Sequence, residues 1–135
     1  MEFLAVTLLL LVPVVYLVLT LAKVQAATFA AEAAAREAGR AFTTAEATRA
    51  GTARAVAAVG LALGDQGFDE VDPVTALALD CAVDPCLTPG SDVGVRVTFD
   101  VALPGVPAFV QSVVPLSVTV DADHVASVDQ YRAGG

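Results

Sequence analysis

The chain has 135 residues, 56% of them hydrophobic and only 16% charged, with a formal net charge of −8. That length, with a long apolar run inside it, leaves room for one small domain at most, and the charged fraction is well below the globular norm of about 25%. A chain this acidic lacks the basic face that nucleic acid or anionic lipid headgroups require, so no nucleic-acid partner is expected.

Phe3 to Ala22, FLAVTLLLLVPVVYLVLTLA, carries no charge and follows an acidic Glu2. As a helix rising 1.5 Å per residue it is about 30 Å long, the thickness of a bilayer's hydrocarbon core. Residues 1–22 are therefore predicted to be a transmembrane helix. A carboxylate at the edge of such a run is costly unless it sits among headgroups or is paired with a cation, for example a neighbouring subunit's α-amine. Pro13 removes one backbone hydrogen bond in mid-run, which a packed membrane helix tolerates when neighbours satisfy the freed carbonyl. A cleavable secretory signal fits less well, because the apolar run exceeds the usual core of about 7–15 residues and has an acid but no base before it.

After Lys23 the composition stays helical. Residues 23–42 read as an alanine-rich stalk, slim on every side, with Glu32 placed four residues before Arg36. The pattern breaks at Phe42-Thr43-Thr44-Ala45-Glu46, where Thr43 and Glu46 have capping-box spacing, so a second helix is predicted to start at Thr43. Its apolar positions Val56, Val59, Gly60 and Leu63 share one face, expected to lie on a sheet, with Arg49 and Arg54 turned away. Gly64-Asp65-Gln66-Gly67 should end it with a left-handed glycine.

From there the periodicity becomes two. Thr75, Leu77, Leu79, Cys81 and Val83 fall on one side of a first strand. Val93, Val95, Val97, Phe99, Val101 and Leu103 alternate with small or polar residues in a second, and Leu116, Val118, Val120 and Ala122 in a third, prolonged through Val125 and Val128. Val106 to Pro115 is a short connection, with Phe109 and Val113 expected to cover a sheet edge or the end of the core. The fold class that results is α+β: an N-terminal helix, a second amphipathic helix packed on a three-stranded antiparallel sheet, and an independent domain over residues 43–135.

Cys81 and Cys86 are close neighbours, and a metal site would need further ligands in a chain with a single histidine, so a disulfide and an oxidising compartment are expected. Lys23, Arg36 and Arg40 all follow the apolar run and by the positive-inside rule alone would hold the C-terminal part in the cytoplasm. The cysteines argue the reverse, and the expected topology follows them: single-pass, with the C-terminal domain extracytoplasmic.

A Glu2-Phe3 pair opening an apolar helix with a mid-helix Pro13, then AAAREAGRA, then CAVDPC, VGVRVTFDVALP and PLSVTVDADHVASVDQYR in that order, resembles the TadE/TadG-type pilin-like proteins of the Tad (Flp) pilus system. In that family a leader ending in Gly is removed just before the Glu-containing segment; here Met1 directly precedes Glu2. The resemblance implies a pilin-like fold and a minor pilin or pseudopilin that assembles through its apolar helix, with Glu2, Phe3 and Pro13 as assembly residues. Its implied partners are other pilin or pseudopilin subunits and the pilus assembly machinery, with lipid around the anchor. The competing reading is a membrane-anchored extracytoplasmic binding domain with no filament role.

No cofactor, small-molecule substrate or catalytic activity is expected. The chain has no G-x-S-x-G, Walker A, H-E-x-x-H or dinucleotide glycine string. The string Asp121, Asp123, His124 hints at a metal, but a period of two puts His124 on the face opposite the two aspartates. The acidic run Asp65, Asp69, Glu70, Asp72 lacks EF-hand spacing and reads as a solvated loop.

Overall fold

The computed structural model describes residues 1–105, 108–113 and 116–132. A single helix, α1 (Glu2–Thr43, 42 residues), runs from the N-terminus through the apolar run and the whole alanine-rich segment without a break, Pro13 included. A loop over residues 44–47 leads into α2 (Thr48–Asp65), then a helical turn α3 (Pro73–Ala76) and strands β1 (Leu77–Cys81) and β2 (Asp92–Ala102). A short helix α4 (Ala108–Val113) and strand β3 (Ser117–Ser127) follow. The sheet is an antiparallel meander in the order β1-β2-β3. The chain is thus α+β, with two long helices and a three-stranded antiparallel sheet, as its periodicities predict.

The core sits between the sheet and the second half of α1. Val93, Val95, Val97, Phe99 and Val101 of β2 are all buried, and Val120, Ala122 and Ala126 of β3 face the same way. Against them lie Ala27, Ala30, Ala31, Ala34, Ala35, Ala38, Gly39 and Phe42, all buried. The alanine segment is therefore no free-standing stalk. It is one wall of the core, and the expectation of an independent domain over residues 43–135 is corrected. Alanine and glycine give this helix so little girth that its backbone comes close to β2 and β3, whereas α2 packs chiefly against α1. The close cover of the sheet, assigned from the sequence to α2 alone, thus belongs mainly to α1.

Gly39 marks the tightest approach. A Cβ there would stand 2.9 Å from Ala126 Cβ, 3.3 Å from the His124 ring and 3.4 Å from a Val95 methyl. In an open helix Gly→Ala is worth about 1 kcal/mol of stabilisation. Here the added methyl forces helix and sheet apart, and overpacking costs about 1–3 kcal/mol. Gly39→Ala is therefore expected to lower the unfolding free energy in denaturant titration, and a stabilised variant would show that the approach is looser than described.

The second helix begins later than its capping box suggests. Thr43 remains the last residue of α1, its hydroxyl donating to the Gly39 carbonyl at 2.9 Å, and Thr44 donates to the Arg40 carbonyl at 2.8 Å. Both hydroxyls are spent on α1's terminal carbonyls, so α2 starts at Thr48 behind Ala47, with no side-chain cap. Arg132 closes the same corner from the far end of the chain, donating to the carbonyls of Thr43 (3.2 Å) and Glu46 (2.9 Å), a cation at a helix C-terminus.

The other end of α2 follows expectation. Gly67 takes φ +84°, its amide donates to the Gly64 carbonyl and that of Phe68 to Leu63, the paired bonds of a Schellman motif. This delivers Phe68 into the core, where its ring lies 5.5 Å from that of Phe99.

The first strand is shorter than predicted. Asp72 accepts from the Val74 amide at 3.0 Å and Pro73 opens the turn, so residues 73–76 become helical before β1 begins. Only Leu77 and Leu79 are half-buried; Cys81 and Val83 are exposed. Residues 106, 107, 114 and 115 of the predicted connection lie outside the described residues. Phe109 and Val113 are described, and they are 74% and 80% exposed. They cover neither a sheet edge nor the core.

On the outer face, register is fixed by three directly opposed pairs. Arg96 is ion-paired with Asp123, Thr119 donates to Asp100 at 2.6 Å, and Ser127 donates to Asp92 at 2.7 Å. The hydrogen bond and charge of Asp123 hold the Arg96 guanidinium more firmly protonated than usual. Asp121 and Asp123 point outward, while His124 lies on the inner face beside Gly39, so the three stay on opposite sides as the strand period requires.

Candidate assembly and membrane surface

The two halves of α1 differ in what surrounds them. From residue 27 onward one face is sealed against the domain. Over residues 1–19 every residue is exposed: Phe3 is 81% exposed, Leu9 74% and Leu17 65%. The exposure runs right round the helix, so no stripe of the apolar run is turned to a core. Among the described residues, this is the one helix long and apolar enough to cross a membrane.

The two threonine hydroxyls of the apolar run are satisfied within the helix. Thr7 donates to the Phe3 carbonyl and Thr20 to the Tyr16 carbonyl, each at 2.8 Å, so both hydroxyls are paired within the helix. Pro13 has no amide to offer the carbonyl of Leu9, one turn before it. At that point Leu4, Ala5, Leu8, Leu9, Val12 and Pro13 line a shallow apolar groove. Apart from the Tyr16 phenol, the run thus offers one freed carbonyl, beside a concave surface.

Glu2 lies in the first turn of α1 and is exposed, where the helix dipole favours its negative charge. Phe3 is beside it, and Pro13 is about three turns further along. Cys81 and Cys86 are bridged, with Cα atoms 5.1 Å apart. Cys81 pairs with Val93 at the end of the sheet near Gly39. The predicted site residues therefore form two separate groups, an apolar helix tip and a disulfide-tied loop at the far end of the domain. Inside that loop Cys86 and Leu87 are buried, and Ser91 Oγ donates to the Thr88 carbonyl at 2.6 Å. A bridge over so short a loop removes limited chain entropy and serves mainly to fix this connection.

Fully burying a Leu, Val or Phe side chain is worth about 1.5–3 kcal/mol. An uncovered run of this kind therefore forfeits on the order of tens of kcal/mol, beyond the 5–15 kcal/mol by which a whole domain is stable. The surface needs an apolar cover, and two kinds fit a cylinder of leucine and valine: lipid chains or other apolar helices. Comparison of the chain with protein-family models, with curated proteins and with solved structures finds no match.

Proposed function

We propose that the protein is a pilin-like structural component, a minor pilin or pseudopilin, of a Tad-type pilus or secretion apparatus. In this reading its apolar run is anchored in the cell membrane and its α+β domain stands on the extracytoplasmic side. The observation that carries the proposal is the division of one unbroken helix into an apolar half exposed on all sides and a small-residue half that is part of a folded core. Such a helix is held in the bilayer while the subunit waits and is later covered by the helices of other pilin subunits. Lipid and helix cover the same residues, so passing from one to the other requires no change in the domain. The Cys81–Cys86 bridge supports the extracytoplasmic placement, since disulfides persist in oxidising compartments.

Glu2 supplies the specificity that a uniform apolar surface lacks. At the tip of the helix its carboxylate pairs with the α-amine of a neighbouring subunit, setting the axial offset between adjacent helices. Glu2→Ala leaves the apolar run at full length, so membrane insertion, read by resistance to carbonate extraction, is expected to persist. Removing one partner of a desolvated ion pair costs about 3–5 kcal/mol, so co-purification with pilin subunits should fall by two or more orders of magnitude in affinity. If the variant co-purifies at wild-type level, Glu2 has no role in assembly.

A further inference from the structure

We infer that the β2–β3 hairpin tip, carrying Phe109 and Val113, inserts into the lipid leaflet beside α1 as a second membrane contact. The inference rests on the anchor reading and adds a surface that the apolar helix does not include.

Geometry places the tip alongside the apolar run. Gly39 of α1 faces Val95 of β2 and Ala126 of β3, and at the other end of the hairpin a Cβ on Gly105 would come within 3.9 Å of the Tyr16 ring. From Gly39 back to Tyr16 the helix covers about 35 Å, and from Val95 to Gly105 an extended strand covers about 33 Å. The hairpin therefore runs down along α1 and ends level with Tyr16. Tyr16 is seven residues before Lys23, so the tip reaches about 10 Å into the segment that spans the bilayer.

Composition agrees with that depth. Between Asp100 and Asp121 there is no charged residue in twenty consecutive positions, although the domain is otherwise strongly acidic. The last charge on β2, Asp100, is five residues from Gly105, about 16 Å back along the strand. The charge-free length of hairpin thus slightly exceeds the overlap with the apolar run, and Asp100 stays in water. At the tip, Phe109 is 74% and Val113 80% exposed, and the Ser112 hydroxyl is paired with the Phe109 carbonyl at 2.7 Å. The last ladder bond, Leu103 amide to Leu116 carbonyl, ties the tip to the sheet. Two large apolar side chains on water would be unfavourable; beside an anchor they meet lipid, continuing the same apolar surface.

The full-length protein in phosphatidylcholine liposomes, carrying Phe109→Cys, Val113→Cys, Leu10→Cys or Leu61→Cys singly, tests this with an environment-sensitive fluorophore and doxyl-labelled lipid as quencher. Leu61 is an exposed apolar residue of α2, 71% exposed, and serves as the remote control; Leu10 reports the anchor. The native cysteines are bridged and do not compete for label. Labels at 109 and 113 are expected to emit at shorter wavelength than at 61 and to lose most of their intensity to the lipid quencher, as at 10. Unquenched emission at both 109 and 113 with quenching at 10 overturns the inference and leaves the anchor intact. Blue-shifted but unquenched labels at the tip also overturn it, because protein then covers that surface. An unquenched label at 10 removes the anchor and this inference together. All four positions are exposed, and either tip position alone suffices if the other variant does not fold.

Discussion

Phe42→Ala is expected to unfold most of the domain at physiological temperature while Phe29→Ala, thirteen residues earlier on the same helix, leaves it unchanged. Phe42 is 1% exposed in the last turn of α1, and Phe29 is 66% exposed. The difference is one of packing rather than residue type. A Cβ placed on Gly51 of α2 would lie 3.0 Å from both the Phe42 ring and its carbonyl oxygen, and 3.2 Å from Ala45 Cβ. The two helices cross on this ring, with glycine making room for it. Truncating a buried Phe costs about 3–5 kcal/mol because a cavity is left as well as lost transfer energy. Most of the other core residues are alanine and valine, with Leu63, Phe68, Leu87 and Phe99 the larger exceptions, so the domain belongs at the low end of the 5–15 kcal/mol range, and that cost removes most of its stability. Phe42→Leu keeps most of the volume and should cost less than about 1.5 kcal/mol. Thermal unfolding followed by circular dichroism on the full chain in detergent separates the three variants. A Phe42→Ala protein that melts with the wild type would show that the helix crossing is not where the core is held.

In the sequence Phe42 reads as the end of a stalk, although the signals that place it in the core are present there. The strands announced themselves, because valine alternating with polar residues from Val93 to Val101 has one physical meaning in a half-buried sheet. The apolar run was equally plain. What hid the core face of α1 was alanine on every side: Ala26, Ala33 and the buried Ala27, Ala30 and Ala34 look alike in sequence, though only some face the sheet. The charges held the missing signal. Glu32, Arg36 and Arg40 follow one another at four-residue spacing, and all three are exposed, so the opposite face had to be the packed one.

The Thr43 to Glu46 spacing misled for a related reason. A capping box is a local pattern, and here the threonine hydroxyls went to the carbonyls of the preceding helix. Asp72-Pro73 carried a true helix-start signal that the alternation of the next residues outweighed. Arg132, which holds the α1–α2 corner from 89 residues away, had no local signature at all. The candidate site divided in the same way. Glu2, Phe3 and Pro13 are conspicuous in sequence, whereas the overlap of the hairpin tip with Tyr16 depends on strand register and could come only from three dimensions.

The largest effect is expected from where the chain is cut. Two truncated chains, one beginning at Lys23 and one at Thr43, differ only by residues 23–42. Both lack the apolar run, so neither needs lipid for its N-terminal segment. The longer retains the whole buried face of α1; the shorter loses Ala27 through Phe42 and leaves Val93, Val95, Val97, Ala122 and Ala126 with no helix closely applied to them. At about 25 cal/mol per Å² of apolar surface, uncovering one face of a three-stranded sheet costs more than a domain of this size can spare. The shorter chain also loses Phe42 and the turns of α1 before Thr43, whose carbonyl is one of two that Arg132 holds.

The central claim is that a single helix is membrane anchor in its first half and core wall in its second. It is tested most directly by comparing the amide hydrogen exchange of these two chains, each made in an oxidising compartment so that Cys81 and Cys86 are bridged. The chain from Lys23 is expected to protect the amides of β2 and β3 and to unfold cooperatively, while the chain from Thr43 exchanges them at the rate of an unfolded polypeptide. Equal protection of β2 and β3 in both chains would show that the sheet and α2 close a core without α1 and would contradict the claim.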